Sequence, residues 1–253
     1  MINRLPLIAG NWKMHKTGDE AVAAAKQLKP LVAGAKDVEV MIAPPFTALY
    51  QVSTEIKGSA IGLGAQNVHW EPHGAYTGEI APNMLLAAGC MYVIIGHSER
   101  RQFFGDTDQT INRKIRAAIS VGLAPIFCIG ETEAERDSGK TFYVLDKQIR
   151  NGLEGFVLQD LQALVIAYEP VWAIGTGKTA TKEQAQEVHA HVRRRLAEMV
   201  GQGFADQLRI LYGGSVKPSN IKELMAMPDV DGALVGGASL DPVTFSQLVL
   251  YKK

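Results

Sequence analysis

Three side chains suited to acid–base chemistry each stand at or just after the end of a short apolar run. They are Lys13, His97 and Glu169. A carboxylate takes a proton, an imidazole polarises a carbonyl group, and an ammonium group stabilises negative charge. Together they would supply a general base, an electrophile and a cation. Each alone also has a structural explanation, as a hydrogen-bonded core histidine, a solvated loop charge or a surface lysine.

Two pairs of glycines follow later apolar runs and are suited to anion binding. Gly213 and Gly214 come just before Ser215, and Gly236 and Gly237 follow the last run. Glycine N–H groups approach an anion closely because no side chain stands in the way. Paired glycines also occur in tight turns, and the residues alone leave this alternative open. The pattern predicts an anion site.

The residues that follow His97 and Glu169 are expected to determine the electrostatic environment of His97 and the direction of Glu169. Ser98 is expected to cap a short helix, which places His97 at a helix amino end, where the dipole disfavours imidazolium. Pro170 restricts Glu169 to extended geometry and so fixes its direction.

The segment after Glu169 contains two patterns that resemble nucleotide-binding motifs. Gly175–Thr179 looks like the end of a Walker A loop, but Trp172 stands where the first glycine is required. Gly175–Ala180 fits a dinucleotide fingerprint, yet it does not follow an apolar run directly. Neither pattern predicts a nucleotide site.

The six histidines do not form a metal-binding pattern. His69 and His73 flank Pro72, so they do not share one helix face. His189 and His191 are two residues apart on a predicted helix and face different ways. The two cysteines form no CxxC pair. We therefore expect no metal site.

Composition excludes several classes of protein. The 253 residues carry 26 Lys+Arg and 26 Asp+Glu, a balance that argues against nucleic-acid binding and against a polybasic membrane anchor. The longest uncharged apolar run, Leu85–Gly96, has 12 residues, whereas a membrane span needs about twenty. No secretory segment is recognisable, and two cysteines are too few for a disulfide scaffold. These features predict a cytoplasmic protein without nucleic-acid or membrane partners.

Eight short apolar runs alternate with amphipathic stretches along the chain. They are typical of strands buried on both faces, and they are Leu5–Trp12, Val38–Pro44, Ala60–Ala65, Tyr92–His97, Ala124–Gly130, Leu164–Glu169, Leu208–Gly213 and Gly232–Gly237. Helical spacing or a proline near a first turn predicts helices over Asp19–Ala33, Met84–Ala88, Asp106–Val121, Thr181–Val200, Lys217–Met227 and Val243–Tyr251.

This alternation indicates an α/β protein built as a single (β/α)8 barrel over residues 1–253. Eight repeats of roughly 32 residues each suit one strand–helix unit apiece. A doubly wound open sheet is the alternative that strand counting leaves open. Regularity to the end of the chain and polar strand ends favour the barrel. In a barrel, all the candidate residues converge on one mouth.

Motifs at the strand ends identify the chain as similar to a known family. From about Leu7 to Leu240, nearly the whole length, it carries AGNWKMH, APPF, GAQNV, GAYTGEI, VIIGHSERR, PIFCIGET, AYEPVWAIGTGKTA, YGGSV and GALVGGASL. These resemble the triosephosphate isomerases, and the AYEPVWAIGTGKTA segment is the most specific. His15 and Ala81 depart from residues common in that family, Asn and Ser respectively, near its subunit contacts.

The resemblance implies interconversion of D-glyceraldehyde 3-phosphate and dihydroxyacetone phosphate in glycolysis and gluconeogenesis, through an enediolate and without a cofactor. It implies that Glu169 is the base, His97 the electrophile, and Lys13 the cation that stabilises the enediolate and the phosphate. The further substrate-binding residues it implies are Asn11, Trp12, Gly175, Ser215, Gly236 and Gly237.

Two loops complete the site that the resemblance implies. Val171–Lys178 suits a lid, whose apolar tip Ile174 is expected to meet Leu234 and enclose the carboxylate of Glu169. The long apolar loop Val68–Ile80 either folds back on its own barrel or, as the resemblance implies, enters a pocket of an identical subunit. The resemblance therefore implies a homodimer, with Thr77 near the active site of the partner subunit.

Two other functions remain to be distinguished. A different phosphate-binding barrel enzyme, such as a lyase or a biosynthetic isomerase, would need a Schiff-base lysine inside the barrel or other acids at the rim. The apolar strand bodies carry no lysine before their ends. A non-catalytic sugar-phosphate binder would keep the glycines but not both His97 and Glu169.

Overall fold

A computed structural model describes residues 4–252, in which eight parallel strands close into a barrel. The strands are β1 Leu7–Asn11, β2 Glu39–Ala43, β3 Ile61–Ala65, β4 Tyr92–Ile95, β5 Ala124–Ile129, β6 Val165–Tyr168, β7 Arg209–Tyr212 and β8 Gly232–Val235. They pair in chain order, and β8 pairs with β1. The predicted barrel is confirmed, the open sheet is wrong, and every strand lies inside its predicted apolar run.

The helices surround the barrel and account for the amphipathic stretches. They are α1 Gly18–Val32, α2 Leu49–Ile56, α3 Pro82–Ala87, α4 Ser98–Phe103, α5 Asp108–Ser120, α6 Glu133–Asp137, α7 Thr141–Gly152, α8 Lys182–Val200, α9 Gln202–Gln207, α10 Ile221–Leu224 and α11 Pro242–Val249. Pro82 and Pro242 occupy first turns, where no amide hydrogen is needed. No helix within residues 4–252 combines the length and apolar character that crossing a membrane requires.

One predicted helix is much shorter than expected. The segment Lys217–Met227 becomes helical only at Ile221, so Pro218 lies before the helix rather than in its first turn. The Asn220 side chain accepts a hydrogen bond from the Lys217 N–H at 2.8 Å and donates one to the Ser215 carbonyl at 3.1 Å. These bonds hold a loop where helical periodicity alone predicted a helix.

Alternate side chains fill the barrel, and the others pack against the helices. The inward set is Leu7, Ala9, Met41, Ala43, Tyr92, Ile94, Ile126, Cys128, Val165, Ala167, Leu211 and Leu234. On β1 the same alternation continues upward from Leu7 and Ala9 to Asn11, which lines the cavity at the mouth. Polar residues therefore reach the mouth in register with the apolar filling below them.

A buried ionic network lies at the opposite end of the barrel, where β8 begins. Arg193 on α8 contacts Asp229 and Asp231 at 2.6 Å each, and Arg4 reaches Asp231 at 2.5 Å. Asp231 also accepts the N–H of Ile210 at 2.9 Å. Because these bonds tie β7, β8 and the first residues of the chain together, they hold the barrel closed away from the mouth.

Candidate active site

A cavity of about 290 Å³ opens at the carboxyl end of the strands. Its lining includes every predicted site residue except Trp12: Asn11, Lys13, His97, Glu169, Gly175, Ser215, Gly236 and Gly237. The barrel thus brings together residues that lie more than 200 positions apart in the chain. Ile174 and Leu234, the two predicted apolar walls, also line this cavity.

The structure does not place the side chain of Trp12 in this cavity. Trp12 is 1% exposed and belongs to the outer core between barrel and helices. The ammonium group of Lys16 lies 5.6 Å from its ring centroid. Because side chains alternate along an extended segment, Asn11 faces inward and Trp12 outward. We therefore withdraw Trp12 as a side-chain contact to substrate.

Glu169 and His97 form a buried hydrogen-bonded pair at the floor of the cavity. The Nε2 atom of His97 lies 2.9 Å from Oε1 of Glu169. The other carboxylate oxygen, Oε2, accepts the N–H of Ser98 at 2.9 Å. Glu169 is 2% exposed. The two residues that carry the predicted chemistry therefore share one proton-transfer contact.

Glycines on the two neighbouring strands make room for Glu169. A Cβ atom at Gly130, after β5, would lie 1.8 Å from the Glu169 carbonyl oxygen. A Cβ atom at Gly213, after β7, would lie 2.9 Å from Cγ of Glu169. Any other residue at Gly130 would push the backbone of Glu169 away from its hydrogen bond with the carbonyl of Ile129, which is 2.7 Å long.

The helix that follows His97 fixes its tautomer. His97, rather than the predicted Ser98, is the N-cap of α4, and its Nδ1 accepts the N–H of Glu99 at 3.3 Å. The Ser98 N–H is instead directed to Glu169. Since Nδ1 accepts a hydrogen bond, the neutral imidazole carries its proton on Nε2. That N–H points at Glu169 and the cavity.

The charges of this pair are set by competing effects. Burial of Glu169 raises the pKa of its carboxyl group, but His97 and the Ser98 N–H together outweigh burial, so the pKa is lowered below its ordinary value. Burial likewise lowers the pKa of His97, whereas the carboxylates of Glu169 and Glu99 raise it above its ordinary value. Glu169 is therefore ionised at neutral pH and available as a base.

Lys13 is held in a conformation that non-glycine residues seldom adopt. Its φ angle is +51°, in the left-handed region. The Lys13 N–H donates to Oδ1 of Asn11 at 3.0 Å, and Nε2 of Gln66 donates to the Lys13 carbonyl at 2.8 Å. Its ammonium group contacts Glu99 at 2.6 Å. These contacts stabilise a strained backbone that directs the cation to the cavity.

Two polar residues that sequence reasoning did not single out support the site. Gln66 holds the backbone of Lys13, and Glu99 pairs with the ammonium group of Lys13. Both lie inside motifs that carry the family resemblance, GAQNV and VIIGHSERR. Their supporting roles depend on contacts between strands, which spacing along the chain does not reveal.

The glycine loops form the wall of the cavity opposite β4. Gly236 comes so close to Lys13 that a Cβ atom there would lie 3.3 Å from Cε of the lysine. Gly237 begins a short 3-10 helix, so its N–H group lies at the open amino end of that turn. Backbone donors and one ammonium group therefore face the same part of the cavity, which suits an anion.

The predicted lid is anchored at both ends to the segment after β5. Nε1 of Trp172 donates to Oε1 of Glu131 at 2.9 Å, and the guanidinium of Arg136 lies 4.6 Å from the Trp172 ring centroid. Lys178 is paired with Glu133. Between these anchors, residues 175–177 are exposed. The tip therefore extends into solvent, and the hydroxyl group of Thr176 within it donates to the Trp172 carbonyl at 2.7 Å.

Comparison with known proteins identifies the family. The sequence profile of triosephosphate isomerase matches residues 6–252. The chain belongs to the triosephosphate isomerase family. A triosephosphate isomerase of Pelobacter propionicus is 58% identical over 249 residues, covering 98% of this chain and 99% of the relative. That of Geobacter metallireducens is also 58% identical, with the same coverage of both chains.

A third relative gives the same result. The triosephosphate isomerase of Moorella thermoacetica is 57% identical over 248 residues, 98% of this chain and 99% of the relative. The predicted resemblance to triosephosphate isomerases is thus confirmed over the whole barrel, including every strand end that lines the cavity. The alternative of a different phosphate-binding barrel enzyme is therefore wrong.

Proposed function

We propose that this protein interconverts D-glyceraldehyde 3-phosphate and dihydroxyacetone phosphate, with Glu169 as the base and His97 as the electrophile. The observation that carries the proposal is the 2.9 Å contact between Nε2 of His97 and the carboxylate of Glu169, at the floor of a cavity lined by two glycine loops. Family membership supports the activity, and the geometry supports the roles.

The reaction moves one proton between adjacent carbons and another between their oxygens. Glu169 takes a proton from the hydroxyl-bearing carbon, the C–H electron pair forms a C=C bond, and the carbonyl oxygen becomes negatively charged. His97 stabilises that oxygen through its Nε2–H group and transfers a proton between the two oxygens. Glu169 then returns its proton to the neighbouring carbon. Atoms and electrons balance without a cofactor.

Substrate binding rearranges the observed pair. The carbonyl oxygen of the substrate and the carboxylate of Glu169 compete for the same Nε2–H donor. When the substrate oxygen takes that donor, Glu169 loses its contact with His97 and its carboxylate turns towards the substrate carbon. The pair therefore keeps the base ionised and the imidazole oriented until the substrate separates them.

The remaining cavity residues account for charge and position. Lys13 offsets the negative charge that develops on the enediolate, and the Asn11 side chain orients the substrate oxygen. Backbone N–H groups of Gly175, Ser215, Gly236 and Gly237 bind the phosphate. The enzyme acts in glycolysis and gluconeogenesis in the cytoplasm. Its two cysteines, Cys90 and Cys128, are buried and free, as suits a reducing compartment.

The activity is tested by a coupled assay. The purified chain is given glyceraldehyde 3-phosphate, and formation of dihydroxyacetone phosphate is followed by NADH oxidation through a reductase specific for that product. Conversion that needs no added metal or cofactor, even with a chelator present, supports the proposal. Binding of the substrate without turnover would indicate a non-catalytic sugar-phosphate binder instead.

We further propose that the enzyme is a homodimer joined through the loop Val68–Ile80. The base of this loop is closed by a 2.9 Å hydrogen bond from the N–H of His69 to the Ile80 carbonyl. Residues 72–79 between them are all exposed, which is contrary to a loop that folds back on its own barrel. Tyr76 is 44% exposed at this tip.

A second cavity next to the active site suits the loop of a partner subunit. It measures about 180 Å³ and shares Asn11, Lys13 and His97 with the first cavity. Met14 and Phe104, at its rim, are 94% and 66% exposed. Large apolar side chains exposed together mark an interaction surface. A two-fold dimer would bury them and place each loop beside the other active site.

Shortening His73–Glu79 to a glycine-containing turn should convert the dimer to a monomer with little activity. The loop tip makes few contacts with its own barrel, so the fold should survive. Light scattering measures the mass, and the coupled assay measures activity at equal subunit concentration. Tyr143→Asp, which alters an exposed tyrosine on α7, is the control and should keep the parental mass.

Two results would count against this assembly. A shortened variant that remains dimeric would remove the loop from the interface. A monomer with the parental kcat would show that the loops do not support the neighbouring active sites.

A further inference from the structure

Lys217 lines the phosphate end of the cavity, two residues beyond Ser215. We infer that it is a recognition residue for the substrate phosphate, which attracts the dianion to the glycine loops before it is bound. This inference rests on the proposed function. It concerns a side chain for which the proposed mechanism has no role.

The backbone of Lys217 is fixed although its side chain is exposed. Its N–H donates to Oδ1 of Asn220 at 2.8 Å, and its carbonyl accepts the N–H groups of Asn220 and Ile221 at 3.1 Å each. Pro218 restricts Lys217 to extended geometry. Asn220 also donates to the Ser215 carbonyl, so the lysine is held at a constant position relative to that residue.

Lys217 differs from the other lysines at the mouth in its ionic contacts. Lys13 is paired with Glu99 and Lys178 with Glu133. Across residues 4–252, the ion pairs found include none made by Lys217. Within the described residues, no carboxylate at ion-pair distance therefore offsets its charge.

Lys217 determines whether the side chains that line the cavity carry a net positive charge. Apart from Lys217, the charged lining residues are Lys13 and Glu169, whose charges cancel when His97 is neutral. A phosphate monoester near neutral pH carries between one and two negative charges. Without Lys217, the charged side chains that line the cavity would give the phosphate no net attraction when His97 is neutral, and only the backbone N–H groups would remain.

The test compares Lys217→Gln with the matched control Lys222→Gln. Lys222 lies five residues later, is exposed, and does not line the cavity. At low ionic strength we expect K217Q to raise KM for glyceraldehyde 3-phosphate by about 3- to 10-fold, with kcat within about twofold of the parent. The increase should shrink near 0.15 M salt, because an exposed charge is screened there. K222Q should have the same KM and kcat as the parent, and K217R should keep the parental KM.

Inorganic phosphate serves as a second probe that does not depend on catalysis. Its dissociation constant, measured by calorimetry, should rise in K217Q to a similar extent and stay unchanged in K222Q. Equal KM and equal phosphate affinity in the two variants at low salt would overturn the inference. A loss confined to kcat would also overturn it. Inactivity of the parent enzyme would instead reject the proposed function, and phosphate binding would still decide the role of Lys217.

Discussion

Replacing Glu169 with Gln should lower kcat by at least about 100-fold, the low end for losing a general base. Glutamine keeps the shape of the side chain and can still accept the Ser98 N–H, but it cannot accept a proton from carbon. Because the pKa of Glu169 lies below its ordinary value, the parent base is ionised throughout the neutral range. The ratio of the parental kcat to the kcat of the variant should therefore be similar from about pH 6 to about pH 9.

The control for this substitution is Glu187→Gln. Glu187 lies exposed on α8, so its replacement should leave kcat unchanged. Thermal unfolding and the affinity for inorganic phosphate separate a chemical defect from a structural one, and both should stay close to the parent in Glu169→Gln. Turnover within a few fold of the parent, with the fold intact, would show that another group is the base.

The strands and the location of the site were accessible from the sequence because they depend on local patterns. Runs buried on both faces are continuously apolar, as in Tyr92–Ile95 and Val165–Tyr168. A charged residue directly after such a run must leave the interior. Glu169 and His97 therefore mark the mouth, once eight repeats establish a closed barrel.

Features that depend on contacts between residues distant in sequence could not be predicted from local sequence patterns. The outward direction of Trp12 and the strained φ of Lys13 follow from how β1 meets its neighbours and from the hydrogen bonds of Asn11 and Gln66. His97 rather than Ser98 is the N-cap of α4, and the Ser98 N–H is bound by Glu169, 71 residues later. Rules for helix capping consider only residues close to the helix end in sequence, so they do not predict the hydrogen bond between Ser98 and Glu169.

We expect the predicted lid, Val171–Lys178, to determine whether the enediolate intermediate is exposed to water. An enediolate phosphate exposed to water expels its phosphate group, because the C=C electron pair displaces the leaving oxygen. Enclosure of the cavity prevents this side reaction. In the structure residues 175–177, between Trp172 and Lys178, are exposed, while Ile174 and Leu234 line the same cavity. We therefore expect the tip to be the segment that closes.

Deletion of Ile174–Gly177 should slow isomerisation by about 10²-fold or more, because it removes the Gly175 N–H as a donor to the phosphate and opens the cavity. The fold should be retained, since residues 175–177 are exposed and the Trp172–Glu131 contact lies outside the deletion. Free phosphate released per isomerisation should rise well above the parental ratio. Both products are measured in one reaction, with thermal unfolding as the check on folding. A slow variant whose phosphate release per turnover equals that of the parent would show that the tip assists catalysis without shielding the intermediate.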